Sequence, residues 1–194
     1  LWNADMTRPT PDFAALIGSR LCHDLVSPLG AIGNGLELVR MTQAPSPELD
    51  LVEEAVKVAQ ARIRLFRLAF GAVAPDQIVG QAETVQALDA LSANGRISVQ
   101  STLPASLARS VAQRLTLAAL CAETALAWGG DILVGLDGIT ANADRLRLDD
   151  DLWQPLLRGQ TPNAHSSATV HFALLANSGP VTVSLTDTRI AITV

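Results

Sequence analysis

From about Thr10 to Thr42 apolar residues recur at three- and four-residue steps. At about 100° per residue, Ala14, Ile17, Leu21, Leu25, Ile32, Leu36 and Val39 gather on one side of a helix, and Ser19, Arg20, His23, Ser27, Gly30 and Asn34 gather on the other. Thr10-Pro11-Asp12 reads as its start, with proline near the first turn and a carboxylate that suits the N-terminal dipole. Ala44-Pro45-Ser46-Pro47 ends it, because proline has no amide donor and disfavours helical geometry in the residue before it. A second helix then carries Leu49, Val52, Val56, Ala59, Ile63, Phe66 and Phe70 on its apolar face and stops at Gly71. Two long amphipathic helices with a short connection predict an antiparallel hairpin over residues 10–74. One hairpin encloses little core and each helix keeps a wide apolar stripe, so two copies are expected to pair as a homodimer with a four-helix bundle.

Over residues 80–194 the pattern changes to short mixed elements. A helix over about Glu83 to Ala93 stops at Asn94-Gly95, and Ile97 to Gln100 follows as a strand. A helix is predicted from about Ser106 to Trp128. Strands at Ile132 to Leu136 and Ile139 to Leu148 join through Asp137-Gly138, a strong hairpin signal. Asp151 to Arg158 and Asn163 to Asn177 read as helices. Val181 to Leu185 and Arg189 to Val194 close the chain as a second hairpin around Asp187-Thr188. Helices on one face of a mostly antiparallel sheet make this an α+β layer, and the chain as a whole an α+β protein.

Composition narrows the setting. A chain of 194 residues with 48% hydrophobic content can bury a full core. Charged residues or Gly and Pro interrupt every apolar run before the roughly 18 residues of a membrane span, so no membrane association is expected. A net charge of -5 argues against nucleic acid as a partner. No charged-then-apolar leader opens the sequence, and Cys22 and Cys121 lie in apolar helical patterns without CxxC spacing, so a cytoplasmic location is expected. Met6 follows Leu1 closely, and residues 1–5 are given no role in the fold. Lys57, Arg62, Arg64 and Arg67 form a basic stretch within the acidic chain, suited to an acidic partner or a phosphoryl group, with a solvated helix face as the alternative. Counting back from the turn near Pro45 places His23 level with about position 67, which brings Arg64 and Arg67 within reach.

The chemistry centres on His23, which faces water from the middle of the polar stripe. Imidazole titrates near neutrality, so its neutral form offers a nucleophilic nitrogen, and an N–P bond formed there stays reactive enough to transfer again. Asp24 can accept a hydrogen bond from the other ring nitrogen and fix the tautomer. Ser27 lies one turn on. Pro28 cannot donate to the Asp24 carbonyl, so the helix should bend or loosen just past the histidine. His165 and His171 have no acidic or cysteine partner at metal-ligand spacing and are read as structural or exposed. Asp149, Asp150 and Asp151 read as a charged helix start, and Gly30, Gly33 and Gly35 as sites of close packing or flexibility.

His23-Asp24-Leu25-Val26-Ser27-Pro28 resembles the H-box of sensor histidine kinases. Together with Leu21-Cys22-His23-Asp24-Leu25, Gly33-Asn34-Gly35-Leu36-Glu37-Leu38 and Phe66-Arg67-Leu68-Ala69-Phe70-Gly71, it is similar to the ChpT-type histidine phosphotransferases of alphaproteobacteria. The likeness in layout covers nearly the whole chain, dense in the hairpin and looser beyond it. It implies a phosphorelay intermediate: the receiver domain of a hybrid kinase gives its phosphoryl group to His23, which passes it to the aspartate of a response regulator's receiver domain. Arg64 or Arg67 would assist the transfer while the receiver supplies Mg²⁺, so no cofactor or metal of its own is expected. The resemblance also implies a degenerate ATPase-like second domain. Leu120 to Leu126 lacks the asparagine that holds Mg-ATP, Asp149-Asp150-Asp151-Leu152-Trp153 stands where Asp-x-Gly-x-Gly would be, and Thr161 to Ser167 has no glycines. No ATP binding and no autophosphorylation are therefore expected. A sensor kinase core with atypical ATP contacts and a non-catalytic dimeric adaptor for regulators are the competing functions.

Overall fold

The computed structural model describes residues 12–163 and 166–194. The predicted start at Thr10-Pro11, the segment 1–5 and His165 lie outside the described residues. Helix α1 spans Phe13–Thr42, and the Asp12 carboxylate caps it by accepting from the Ala15 amide at 3.0 Å. It continues as α-helix through Pro28. Helix α2 spans Pro47–Phe70, where the Ser46 hydroxyl accepts from the Leu49 amide at 3.2 Å, Pro47 opens the first turn, and Glu48 and Asp50 favour the dipole. The two run antiparallel, as expected. Gln60 Nε2 donates to the Leu29 carbonyl at 3.0 Å, and Arg40 pairs with Glu53 at 2.6 Å and with Asp50 near the turn.

Beyond the hairpin come β1 (Ile78–Gly80), α3 (Gln81–Leu88) running into a 3₁₀ turn at Asp89–Ser92, β2 (Ile97–Ser101) and β3 (Ser106–Ala108). Then follow α4 (Arg109–Ala125), β4 (Gly130–Gly135), β5 (Gly138–Asn142), α5 (Asp150–Leu157), α6 (Val170–Asn177), β6 (Thr182–Leu185) and β7 (Arg189–Thr193). The main sheet has the order β2-β4-β5-β7-β6, with β2 and β4 parallel and every other pair antiparallel. The Asp137-Gly138 hairpin forms as predicted. Gly138 has φ +155°, and a β-carbon there would collide with the Ile192 carbonyl oxygen, so only glycine fits.

Several boundaries differ from the sequence reading, while the acidic helix start at Asp149 agrees with it. Ser106–Ala108 is not the first turn of a helix but a strand paired antiparallel with Ile78–Gly80, so α4 begins at Arg109. The strand from Ile139 ends at Asn142, opposite Arg189, where its antiparallel partner β7 begins. Asp149 caps α5 by accepting from the Asp151 amide at 3.1 Å, which makes the three acids a helix start. Helix α6 begins at Val170 rather than Asn163.

Ile132, Val134, Ile139, Ala141, Val183, Ile190 and Ile192 fill the core from one face of the sheet, against Leu115, Ala119 and Ala122 of α4, Trp153 of α5 and Phe172 of α6. Leu65, Leu68 and Ala69 of α2 belong to the same core, so the last two turns of the second helix are shared between hairpin and sheet layer. Arg62 fastens the join through a pair with Glu123. That carboxylate comes from Leu120 to Leu126, the stretch without asparagine.

The apolar side read for α1 splits in two. Cys22 is buried, and Leu29, Leu36 and Val39 are partly covered. Gly18 and Gly33 meet α2 at Phe70 and at Gln60 and Val56. Ile17, Leu21, Leu25 and Ile32 form a separate ridge that remains 48% to 60% exposed. No helix among the described residues is long and apolar enough to cross a membrane.

Candidate functional site

His23 lies about a third of the way along α1 with 82% of its side chain exposed. Cys22, the residue before it, is the buried one, so successive positions on the helix turn one side chain inward and the next outward. The His23 ring is held at one nitrogen. Its Nδ1 stands 3.1 Å from Asp24 Oδ1, and Asp24 Oδ2 accepts from Arg20 Nε at 2.8 Å. The hydrogen bond with His23, reinforced by Arg20, keeps the Asp24 carboxyl below its ordinary range. With Nδ1 donating to that carboxylate, Nε2 carries the lone pair.

The ring borders an open recess of about 540 Å³ lined also by Ser19, Arg67, Gly71, Glu83 and Arg109. The register counted from the turn therefore holds for Arg67. Arg64 is placed differently. It lines a neighbouring recess with Val26, Leu29, Gly30, Gln60 and Ile63, and Arg67 is the residue the two recesses share. Ser27 is exposed on α1 and lines neither recess.

The basic stretch is largely paired. Lys57 meets Glu53 at 2.5 Å, Arg62 meets Glu123, and Arg67 Nη2 meets Glu83 Oε1 at 2.9 Å. Arg64 alone of the four makes no ion pair among the described residues.

The floor of the recess is the C-terminus of α2, whose last carbonyls need donors from outside the helix. Helix α4 supplies them from two residues one turn apart. Arg109 Nη2 donates to the Arg67 carbonyl at 2.7 Å, and Gln113 Nε2 donates to the carbonyls of Ala69 and Gly71 at 3.0 Å each. Ser19 Oγ accepts from the Ala72 amide at 2.9 Å and ties the exit of α2 back to α1. A β-carbon at Gly71 would collide with the Arg67 carbonyl oxygen and crowd Arg109 Nη2 and Ser19 Oγ, so the closing glycine of the Phe66-to-Gly71 motif is a packing requirement. Sequence reasoning missed Arg109 and Gln113. Their only local signal is the four-residue spacing of two long donors at the start of a mostly apolar helix.

The arrangement offers a nucleophilic nitrogen facing water, a carboxylate fixing its tautomer, and a guanidinium side able to receive an anion. No group of three or more His, Cys, Asp or Glu residues suited to a metal ion occurs among the described residues. His171, the other described histidine, is buried against Phe172 with ring centroids 4.9 Å apart and has a structural place.

A stretch of 61 residues, 31% of this chain and 29% of the relative, is 46% identical to the protein phosphotransferase ChpT of Brucella abortus (strain 2308). The match thus spans less than a third of that relative's length. A solved 1.7 Angstrom structure of a bacterial phosphotransferase superposes with a TM-score of 0.63 at 26% identity, covering 96% of this chain and 97% of that one. Residues 81–180, just over half of the sequence, match the model of the histidine phosphotransferase C-terminal domain, and the chain accordingly belongs to the histidine phosphotransferase family.

Proposed function

We propose that the chain is a phosphoryl carrier of a two-component phosphorelay, taking the group from a hybrid kinase's receiver domain onto His23 and handing it to the aspartate of a response regulator. The observation that carries this reading is the posture of the ring, with Nδ1 engaged by Asp24 and the exposed imidazole bordering a recess that Arg67 also lines. Nε2 attacks the phosphorus of the receiver's aspartyl phosphate. An N–P bond forms, the O–P bond breaks, and the receiver's carboxylate leaves with the electron pair. The Nδ1 proton stays, and the positive charge gained by the ring is met by Asp24. The next receiver reverses these steps. Such transfer depends mainly on alignment and charge, which Arg67 provides from this chain while Mg²⁺ comes with the receiver. Arg64 and Ser27 lie outside the recess that His23 borders, are exposed on the same hairpin and are open to a docked receiver. ATP-dependent autophosphorylation is not part of this function.

The carrier works as a homodimer in this reading. Ile17, Leu21, Leu25 and Ile32, with Val52 and Phe66 of α2 also exposed, are what a second copy would cover in a four-helix bundle. The ridge lies roughly opposite His23 around α1, so pairing leaves the ring accessible. Residues 10–74 then act as the dimerising phosphoacceptor unit, and residues 80–194 as the degenerate ATPase-like layer that steadies it.

Intact-mass spectrometry tests this after separate incubations with a phosphorylated receiver and with Mg-ATP. One phosphoryl group is expected from the receiver, none from ATP, and none from either in His23→Ala. Retention in that variant refutes the site, and labelling by ATP restores the kinase reading.

A further inference from the structure

Arg109 is only 5% exposed, yet it holds an unanswered donor. Its Nη2 is spent on the Arg67 carbonyl, while its Nη1 is buried without a hydrogen-bond partner among the described residues. A guanidinium stays cationic in proteins, and leaving part of one buried and unpaired costs free energy. Among the described residues lining the recess one carboxylate occurs, Glu83, and it is bonded to the other guanidinium, Arg67 Nη2. Glu83 lies close enough for its charge to favour the cationic form of Arg109, while Arg67 opposes it and burial disfavours it most. All three residues line the recess that His23 borders. Two cations thus share one anion beside the ring.

We propose that Arg109 is a positioning residue of the phosphoryl site, which takes Glu83 from Arg67 when a phosphoryl group arrives on His23. The inference rests on the reading of His23 as the phosphoryl acceptor. The Arg67–Glu83 pair is half exposed on both sides, so it is a weak tie. A phosphoryl group offers Arg67 more charge and more acceptor oxygens than a carboxylate does. Once Arg67 turns to it, Glu83 is released beside the Nη1 of Arg109. Each guanidinium then has its own anion, and the buried donor is satisfied. The exchange also moves the tie of α3 from the end of α2 to the start of α4, so the sheet layer registers whether the ring is loaded. Arg67 turns more readily to the phosphoryl group when Glu83 has a second cation to receive it.

Phosphoramidate, a small phosphodonor that needs no receiver, tests this on the full chain. Wild type and three variants are compared by the rate of phosphohistidine formation and by the pH midpoint of the ³¹P resonance. Arg109→Gln is expected to slow acquisition roughly tenfold, about one hydrogen bond's worth, and to raise the ³¹P midpoint because Arg67 stays with Glu83. Glu83→Gln should load at least as fast as wild type. The double variant Glu83→Gln/Arg109→Gln should recover to within about threefold of Glu83→Gln alone. A general packing role for Arg109 predicts neither the recovery nor the midpoint shift. A wild-type rate in Arg109→Gln, or no recovery in the double variant, overturns the exchange. Should circular dichroism show that Arg109→Gln does not fold, Glu83→Gln decides alone, and slower loading than wild type overturns it. Absence of phosphohistidine in the wild type with phosphorylated receiver as well as phosphoramidate overturns the phosphotransfer reading itself, a result distinct from all of these.

Discussion

Asp24 Oδ1 stands 3.1 Å from His23 Nδ1 although the two residues are neighbours on a helix, where adjacent side chains normally diverge. Arg20, one turn earlier, holds the second carboxylate oxygen at 2.8 Å and fixes the bridge. Asp24→Asn keeps the shape but removes the charge that supports the Nδ1 proton. It should slow transfer from a phosphorylated receiver roughly tenfold with the fold unchanged, measured as label acquired under single-turnover conditions. Since Asp24 titrates below the ordinary carboxylate range, mild acid should leave this support in place. An unaltered rate in Asp24→Asn would reduce the carboxylate to a bystander.

Leu25 is 49% exposed at the centre of the uncovered ridge of α1. Placing a charge there should prevent two ridges from meeting. Leu25→Glu is expected to weaken self-association about a hundredfold or more while far-ultraviolet circular dichroism keeps its helical signal. Light scattering coupled to gel filtration reads the outcome. A wild-type chain that remains single at high concentration would end the four-helix reading.

His171 carries a pH dependence that has nothing to do with the recess beside His23. Burial pulls its imidazole down from the ordinary 6.5 to about 4, with Phe172 against the ring and Nε2 without a partner among the described residues. The folded state therefore keeps this ring neutral while the unfolded chain takes up a proton below about 6.5. Stability is complete above that pH and falls as pH drops toward 4. Between pH 7 and pH 5 the loss from this group should be about 2 kcal/mol, read from urea midpoints. Glu48 and Glu53, shifted below 4.5, titrate outside that window. His171→Leu should flatten the profile between pH 7 and pH 5.

The glycines of α1 should respond in opposite directions. A β-carbon at Gly18 would stand 2.9 Å from the Phe70 carbonyl oxygen, backbone that cannot turn aside, so Gly18→Ala should push the helices apart and destabilise by about 1–3 kcal/mol. Nothing lies within 4 Å of a β-carbon at Gly30, and Gly30→Ala should add about 0.5–1 kcal/mol of helix stability. Thermal unfolding of the two variants distinguishes them by sign.

The hairpin was legible because both helices are long, strongly periodic and punctuated by proline and glycine. Its register, and with it the meeting of His23 and Arg67, followed from counting residues away from a four-residue connection. The ribbon formed by Ile78–Gly80 and Ser106–Ala108 was not legible, since three residues give no alternation to detect and their pairing spans distant parts of the chain. The division of the apolar side of α1 was not legible for a related reason. Periodicity says that Leu21 and Leu25 want cover, but not that α2 would instead meet Gly18 and Gly33. Arg109 was invisible because its work is done on another helix, as a donor to carbonyls that only the tertiary fold exposes.

Leu65, Leu68 and Ala69 bury one end of the hairpin in the sheet layer, while its turn at Pro45 projects away from that anchorage. A rod clamped at one end sways least beside the clamp. His23, level with Arg67, occupies that quiet stretch, and the turn lies about 30 Å along the helix from it. Thermal swaying of the tip therefore hardly displaces the ring, which keeps one place and one angle.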